Sequence, residues 1–325
     1  MLKGMNTTLL HGILAATLSL TLASGCSATT HPVAPGTLGV PTRDAAMESV
    51  LDEKGTVTVD TVVSAEWEVD RSGLIDLTSD KAKAAHLVDG PEPIQLYIHA
   101  LHHPTRGTWL VDTGVERALA QSPSNAVIHG WRSVFANLDK LVVYTDMATL
   151  LAREGEAPQG VLLTHLHFDH VLGMRDVPAN VPVYVGRGDA EESSMQNMLM
   201  REIYDGTLAG KGPLQELGAS PDPDGVWDGI TDVFGDSMVF ALSVPGHTKG
   251  STAFVVRTPN GPVLLTGDAC HSAWGWENGV APGTFSEDLA KSKDSLVRLQ
   301  ALVARHPNMD VRLGHQSKTM KNRTR

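Results

Sequence analysis

Four metal-competent side chains crowd into the six residues His165-Leu166-His167-Phe168-Asp169-His170. Imidazole nitrogens beside a carboxylate suit a borderline divalent cation such as zinc, and iron, manganese and cobalt accept the same donors. Four such groups exceed what one tetrahedral ion takes comfortably from a single loop, so the run reads as part of a two-ion centre. With 14 histidines in 325 residues, this H-x-H-x-D-H pattern arises by chance on the order of 0.002 times per chain, which favours a motif over coincidence.

Further candidate ligands stand in similar settings. His247 lies in Val244-Pro245-Gly246-His247, Asp268 in Leu264-Leu265-Thr266-Gly267-Asp268 and His315 in Val311-Arg312-Leu313-Gly314-His315. Each follows a short apolar run, as a side chain does when it hangs from a strand end or the loop beyond it. The first cluster likewise follows Gly160-Val161-Leu162-Leu163, and Trp109-Leu110-Val111-Asp112-Thr113-Gly114 places another carboxylate the same way. Taken singly, His247, Asp268 or His315 reads as an ordinary packed residue, and Asp112 as a turn former. It is their order and context that make them candidates.

The elements that must position these groups form two βα halves. Patterning predicts strands at 56–63, 93–100, 107–112, 160–163 and 181–185, with helices at 146–153 and 187–204. Strands follow at 238–242, 252–256, 262–266 and 309–313. A helix from Ser286, its expected N-cap, to His306 shows one face through Leu289, Leu296, Leu299, Leu302 and Val303. Strands alternating with helices in both halves fit sheets covered by helices.

Composition sets the frame. A 42% hydrophobic content with 19% charged residues is that of a chain with a sizeable core. The net charge of −11 argues against a nucleic-acid partner. Lys3 and the apolar run from Leu9 to Leu22 read as a secretory signal over residues 1–25. Residues 26–55 are rich in Pro, Gly, Thr and Ala toward their start and read as a flexible tether, leaving 56–325 as the folded domain. Of the two cysteines, Cys270 reads as a small buried hydrophobe, with a role at the metals as the alternative. Met195, Met198, Leu199 and Met200 read as core filling, or else as an adaptable apolar slot.

In this order, the motifs between Thr56 and Gln316 resemble the metallo-β-lactamase superfamily. The resemblance implies a four-layer αβ/βα sandwich of two mixed sheets flanked by helices, with metals at one edge. It assigns His165, His167 and His247 to a first ion, and Asp169, His170 and His315 to a second. Asp268 bridges the two, and Asp112 orients ligand histidines. A hydroxide shared by the ions would attack an ester-like carbonyl. The candidate catalytic residues are thus Asp169, Asp268 and His271.

A bridging aspartate is generally lacking in antibiotic-hydrolysing members, and His167 stands where diiron flavoproteins usually carry Glu. RNA-processing members would bring a more basic surface. The branch most resembled opens N-acyl homoserine lactones, though it often has Tyr where His271 stands and Asp where Gln316 stands. His271 reads either as a hydrogen-bond donor or acid toward the substrate, or as a surface histidine. Thioester, other ester, phosphotriester and β-lactam substrates remain open, as does a non-catalytic metal-binding lipoprotein. Trp274, Trp276 and Phe168 are the candidate substrate contacts. Leu22-Ala23-Ser24-Gly25-Cys26 resembles a bacterial lipobox, which implies export and a lipid on Cys26; a plain signal cut near Ala28 is the alternative. The protein is accordingly expected in the periplasm or anchored to a membrane. The sequence leaves the oligomeric state open.

Overall fold

The structure, a computed structural model, describes residues 27–191 and 195–317. The first of its two sheets is built on a long antiparallel hairpin, β3 (Thr58–Asp70) with β4 (Pro91–His103). On one side of the hairpin lies β6 (Val142–Val143). On the other side come β5 (Gly107–Val111), β7 (Gly160–Leu162), β8 (Val183–Val185), β9 (Leu214–Glu216) and β1 (Val33–Pro35). The last five run parallel to one another. In the second sheet the order is β14 (Asp310–Arg312), β13 (Gly261–Leu265), β12 (Thr252–Thr258), β11 (Val239–Ser243), β10 (Ile230–Asp232) and β2 (Val40–Pro41). Only β13 and β14 pair in parallel there.

Strand alternation shows how these sheets are layered, because successive side chains point to opposite faces. Leu101, Trp109, Val111, Leu162 and Tyr184 of the first sheet pack with Val239, Ala241, Phe254, Val256, Val263 and Leu265 of the second. Their neighbours point outward. Ile98, Ala100, Leu110, Val161 and Val183 join Met147, Leu150, Ile203 and Tyr204 from helices. Phe240, Leu242, Ala253, Val255 and Leu264 join Leu296, Leu299 and Leu302 of the Leu289–Arg305 helix. Both faces of both sheets are therefore covered, which makes four layers.

Two expectations need correction. The segment 26–55, expected as a tether, is built into the fold over its described part: β1 pairs with β9, β2 pairs with β10, and the Asp44–Leu51 helix buries Met47 and Leu51 in the core. Pro35 and Pro41 fit because β1 and β2 are edge strands, where a missing N–H costs no ladder bond. Met47 and Leu51, four residues apart, form the helix face that the Pro- and Gly-rich composition obscures. The helix predicted at 187–204 runs instead from Met195 to Leu208. The chain first turns at Gly188 (φ 78°), which brings Asp189 into the interior. Residues 1–25, Cys26 and the side chains of Met195, Met198 and Leu199 lie outside the described residues; Met200 is buried in the core.

Candidate metal centre

The ligand candidates come from the ends of strands at one edge of the sandwich. His165 and His167 follow β7, and Asp169 and His170 lie in the short Phe168–Val171 helix. His247 sits in the turn between β11 and β12, Asp268 in the 3-10 turn after β13, and His315 three residues past β14. All seven converge. His247 Nε2 lies 3.1 Å from His165 Nε2 and 2.8 Å from His167 Nδ1. Asp268 Oδ2 lies 3.1 Å from His315 Nε2, 3.3 Å from His170 Nε2 and 3.4 Å from His247 Nε2. Asp169 Oδ2 closes the far side, 3.3 Å from His315 Nε2.

The outer atoms of these rings are held so that the inner ones face the centre. Asp112 Oδ2 accepts from His170 Nδ1 at 2.8 Å, and the same carboxylate accepts both the N–H and the hydroxyl of Thr164. His315 Nδ1 faces the Gln95 carbonyl at 3.1 Å, and His247 Nδ1 faces Ser286 Oγ at 3.2 Å. Such outer partners fix the tautomer and direction of a metal-binding imidazole. Asp112 adopts φ 56°, so local strain is accepted to aim its carboxylate. A Cβ on Gly314 would collide with Asp268 Oδ1, which explains the glycine preceding His315.

A further residue holds the ligand loops together. Asp189 is 1% exposed; its Oδ2 accepts the Leu166 N–H at 2.6 Å, and its Oδ1 accepts the Gly250 N–H at 3.0 Å. It thereby ties the His165–His167 loop to the turn that carries His247. Sequence reading passed it over, although Gly186-Arg187-Gly188-Asp189 carries the signal of a tight turn ending in a carboxylate.

Electrostatics sort the centre into two halves. Burial drives His165 and His247 well below the usual histidine range and His167 down to about 4, so these three are neutral donors. Burial also opposes charge on His170 and His315, but Asp268 outweighs it with help from Asp112 and Asp169; His170 is held well above its usual value and His315 near 10. The same pairings, against burial, hold Asp169 near 2 and Asp268 well below the usual carboxylate range. Two carboxylates thus meet protons on two histidines, positive charge that a cation can replace.

The donor set fits a pair of divalent ions. His165, His167, His247 and Asp268 form one group and Asp169, His170 and His315 another, the donor atoms of each lying within 4.8 Å of one another. Ring nitrogens of His165 and His167 both point at His247 Nε2, 3.1 and 2.8 Å away, a convergence that a shared cation satisfies. His170 Nε2 and Asp268 Oδ1 are buried without a hydrogen-bond partner, a costly state that a cation relieves.

Beside the centre is a cavity walled by Trp67, Val69, Leu74, Ile94, Phe168 and Phe285, with His167, Asp169, His247, Asp268 and His315 at its polar end. Phe168 is the one aromatic substrate contact expected from sequence that lines it. Trp276 is instead 8% exposed and packs with Leu296 and Leu299 behind the second sheet, while Trp274 packs against the outer core of the first. Neither is among the residues that line the cavity, despite their closeness in sequence to Asp268. His271 is no surface residue, being 1% exposed with Nε2 3.0 Å from Asp268 Oδ2. Cys270 is buried in the second sheet's outer core.

A family profile described as the metallo-beta-lactamase superfamily matches residues 100–305. The chain belongs to the metallo-β-lactamase superfamily. Within it, the chain is 29% identical over 201 residues to an N-acyl homoserine lactonase of a Bacillus species, covering 61% of this chain and 72% of that one. A solved quorum-quenching N-acyl homoserine lactone lactonase superposes with a TM-score of 0.59 at 21% identity, covering 82% of this chain and 96% of its own. AidC, a dizinc quorum-quenching lactonase solved with N-hexanoyl-L-homoserine as product, superposes with a TM-score of 0.55 at 14% identity, covering 81% and 88%. The metallo-β-lactamase sandwich expected from the motifs is the fold observed.

Proposed function

We propose that the protein is a dinuclear metal-dependent hydrolase that opens a lactone, with an N-acyl homoserine lactone as substrate and zinc as the metal. The observation that carries this reading is Asp268. Its Oδ2 stands between the His165–His167–His247 trio and the Asp169–His170–His315 set, where one carboxylate can serve two ions. Bound here, two such ions would supply a water-derived nucleophile near neutral pH and a Lewis acid for the carbonyl.

The chain's own residues define what reaches that chemistry. Trp67, Val69, Leu74, Ile94, Phe168 and Phe285 give the cavity an apolar wall that suits an acyl chain and sheds water. A carbonyl entering the polar end, which is formed by candidate ligand side chains, would stand beside Asp268 and His315. Asp112, Ser286 and the Gln95 carbonyl keep the imidazoles aimed, so little reorganisation is needed when substrate binds. The named activities of the relatives agree with this reading.

The test is a turnover panel on protein beginning at residue 27. It compares homoserine lactones of several acyl lengths with acyl-glutathione thioesters, a cephalosporin and an organophosphate triester. The proposal expects long-chain lactones to give the highest kcat/KM, and lactone opening slower than every other class would overturn it. We also place the enzyme outside the cytoplasm, on the strength of the Leu9–Leu22 run and Cys26. Radiolabelled palmitate incorporated by the full chain, and lost in Cys26→Ser, is the expected result; no label in either contradicts the lipid.

A further inference from the structure

His271 repeats the arrangement of a ligand histidine. Its Nδ1 lies 3.3 Å from the Leu74 carbonyl, so that nitrogen carries the proton and donates it. In the neutral ring Nε2 then carries the lone pair, buried without a hydrogen-bond partner and 3.0 Å from Asp268 Oδ2. His315 is built the same way, with Nδ1 on the Gln95 carbonyl and Nε2 3.1 Å from the same oxygen. The two rings lie parallel, 5.5 Å apart with 8° between their planes. A lone pair facing a carboxylate oxygen inside a protein is repulsive unless a proton or a metal cation lies between the two. The donor atoms of Asp268, His271 and His315 lie within 4.8 Å of one another.

We propose that His271 Nε2 is a metal ligand, an eighth protein donor that binds a borderline divalent cation on the His315 side of the centre. This rests on the two-ion reading above and adds a residue to it. His315 belongs to two overlapping groups, one with Asp169 and His170, the other with Asp268 and His271. An ion bound by Asp268 and His315 therefore has the His271 imidazole at hand as well, and would be held more tightly and be less open to exogenous ligands. A backbone carbonyl on the outer nitrogen is the kind of partner metal-binding histidines use.

The experiment titrates metal-free wild type, His271→Ala and His271→Asn with Co²⁺, in competition with a chromophoric chelator, while recording the visible d–d spectrum. The asparagine amide can keep the bond to the Leu74 carbonyl while the inward donor is removed. Melting curves of the metal-free proteins establish that each variant folds; should the alanine variant not fold, the asparagine variant decides. The wild type is expected to bind two Co²⁺. Each folded variant should bind one of them at least tenfold more weakly and show an altered spectrum, and added imidazole should restore both in His271→Ala. Two ions bound by the variants with wild-type affinity and spectrum would overturn the proposal, as would weakening that imidazole leaves unrepaired. Lactone turnover by wild type with unchanged Co²⁺ binding in the variants would sink His271 alone. The expected Co²⁺ pattern without lactone turnover would sink only the substrate reading.

Discussion

At the scale of single residues, the chemistry of the centre depends on which atoms face inward. Asp268 meets both halves of the centre, so Asp268→Ala should lower turnover by on the order of 10³-fold or more and leave at most one tightly held ion, read by kinetics and metal analysis. Asp112 works through His170: Asp112→Asn keeps the shape but weakens the acceptor, and should cost roughly 10–100-fold in metal affinity. Unchanged affinity would mean that the 2.8 Å contact to His170 Nδ1 does not orient the ring. His99, which is not among the candidate ligands, offers a prediction of its own. It is buried against Thr61 Oγ1 at 2.7 Å, and burial, with Arg312 and His170 adding to it, holds its pKa down at about 3. The unfolded chain binds that proton near pH 6.5 and the folded one does not, so the stability is full above about 6.5 and is lost as pH falls through about 3. His99→Gln should therefore flatten the fall in melting temperature between pH 7 and 4; parallel curves for the two proteins would contradict this. The seven candidate ligands were legible because four are compressed into one motif and the others follow apolar runs. The environment of His271 was not, since nothing near it in sequence announces Leu74 or His315.

At the scale of elements, strand ends deliver ligands and a few clamps hold the loops in register. Asp189→Ala would leave the Leu166 and Gly250 N–H groups without their buried acceptor. Each such loss costs about 1–3 kcal/mol. The melting temperature should drop, and metal binding should weaken as the His165 and His247 loops drift apart; wild-type metal affinity would show that the clamp is dispensable. The N-terminal segment supplies an edge strand to each sheet and a helix to the core, so protein starting at residue 56 should aggregate or melt far below protein starting at residue 27. Equal melting curves would restore the tether. Most strands and the long C-terminal helix were readable from alternation and apolar spacing, although β3 runs on to Asp70 rather than ending at residue 63 and the helix is capped by Asp288 rather than Ser286. The edge strands β1 and β2 were not, because Pro and Gly serve edges and tethers alike, and the two- and three-residue strands β6, β9 and β10 are too short to show alternation. Nor was the cavity wall: Trp67, Val69 and Ile94 come from β3 and β4, some seventy or more residues before the first ligand, and such long-range pairing leaves no local trace.

At the scale of the whole molecule, two covered sheets form a rigid frame whose one edge gathers side chains from four separate loops. Residue types and order pointed to that architecture through family likeness, and the alternation of buried faces in the structure gives its physical basis. The central claim is that hydrolysis depends on two ions at once. Metal-free protein titrated with Zn²⁺ while lactone opening is followed tests it most directly. The account predicts negligible turnover without metal and a rise that levels off at two equivalents per chain. Full activity in the metal-free protein, or a plateau at one equivalent, would contradict it.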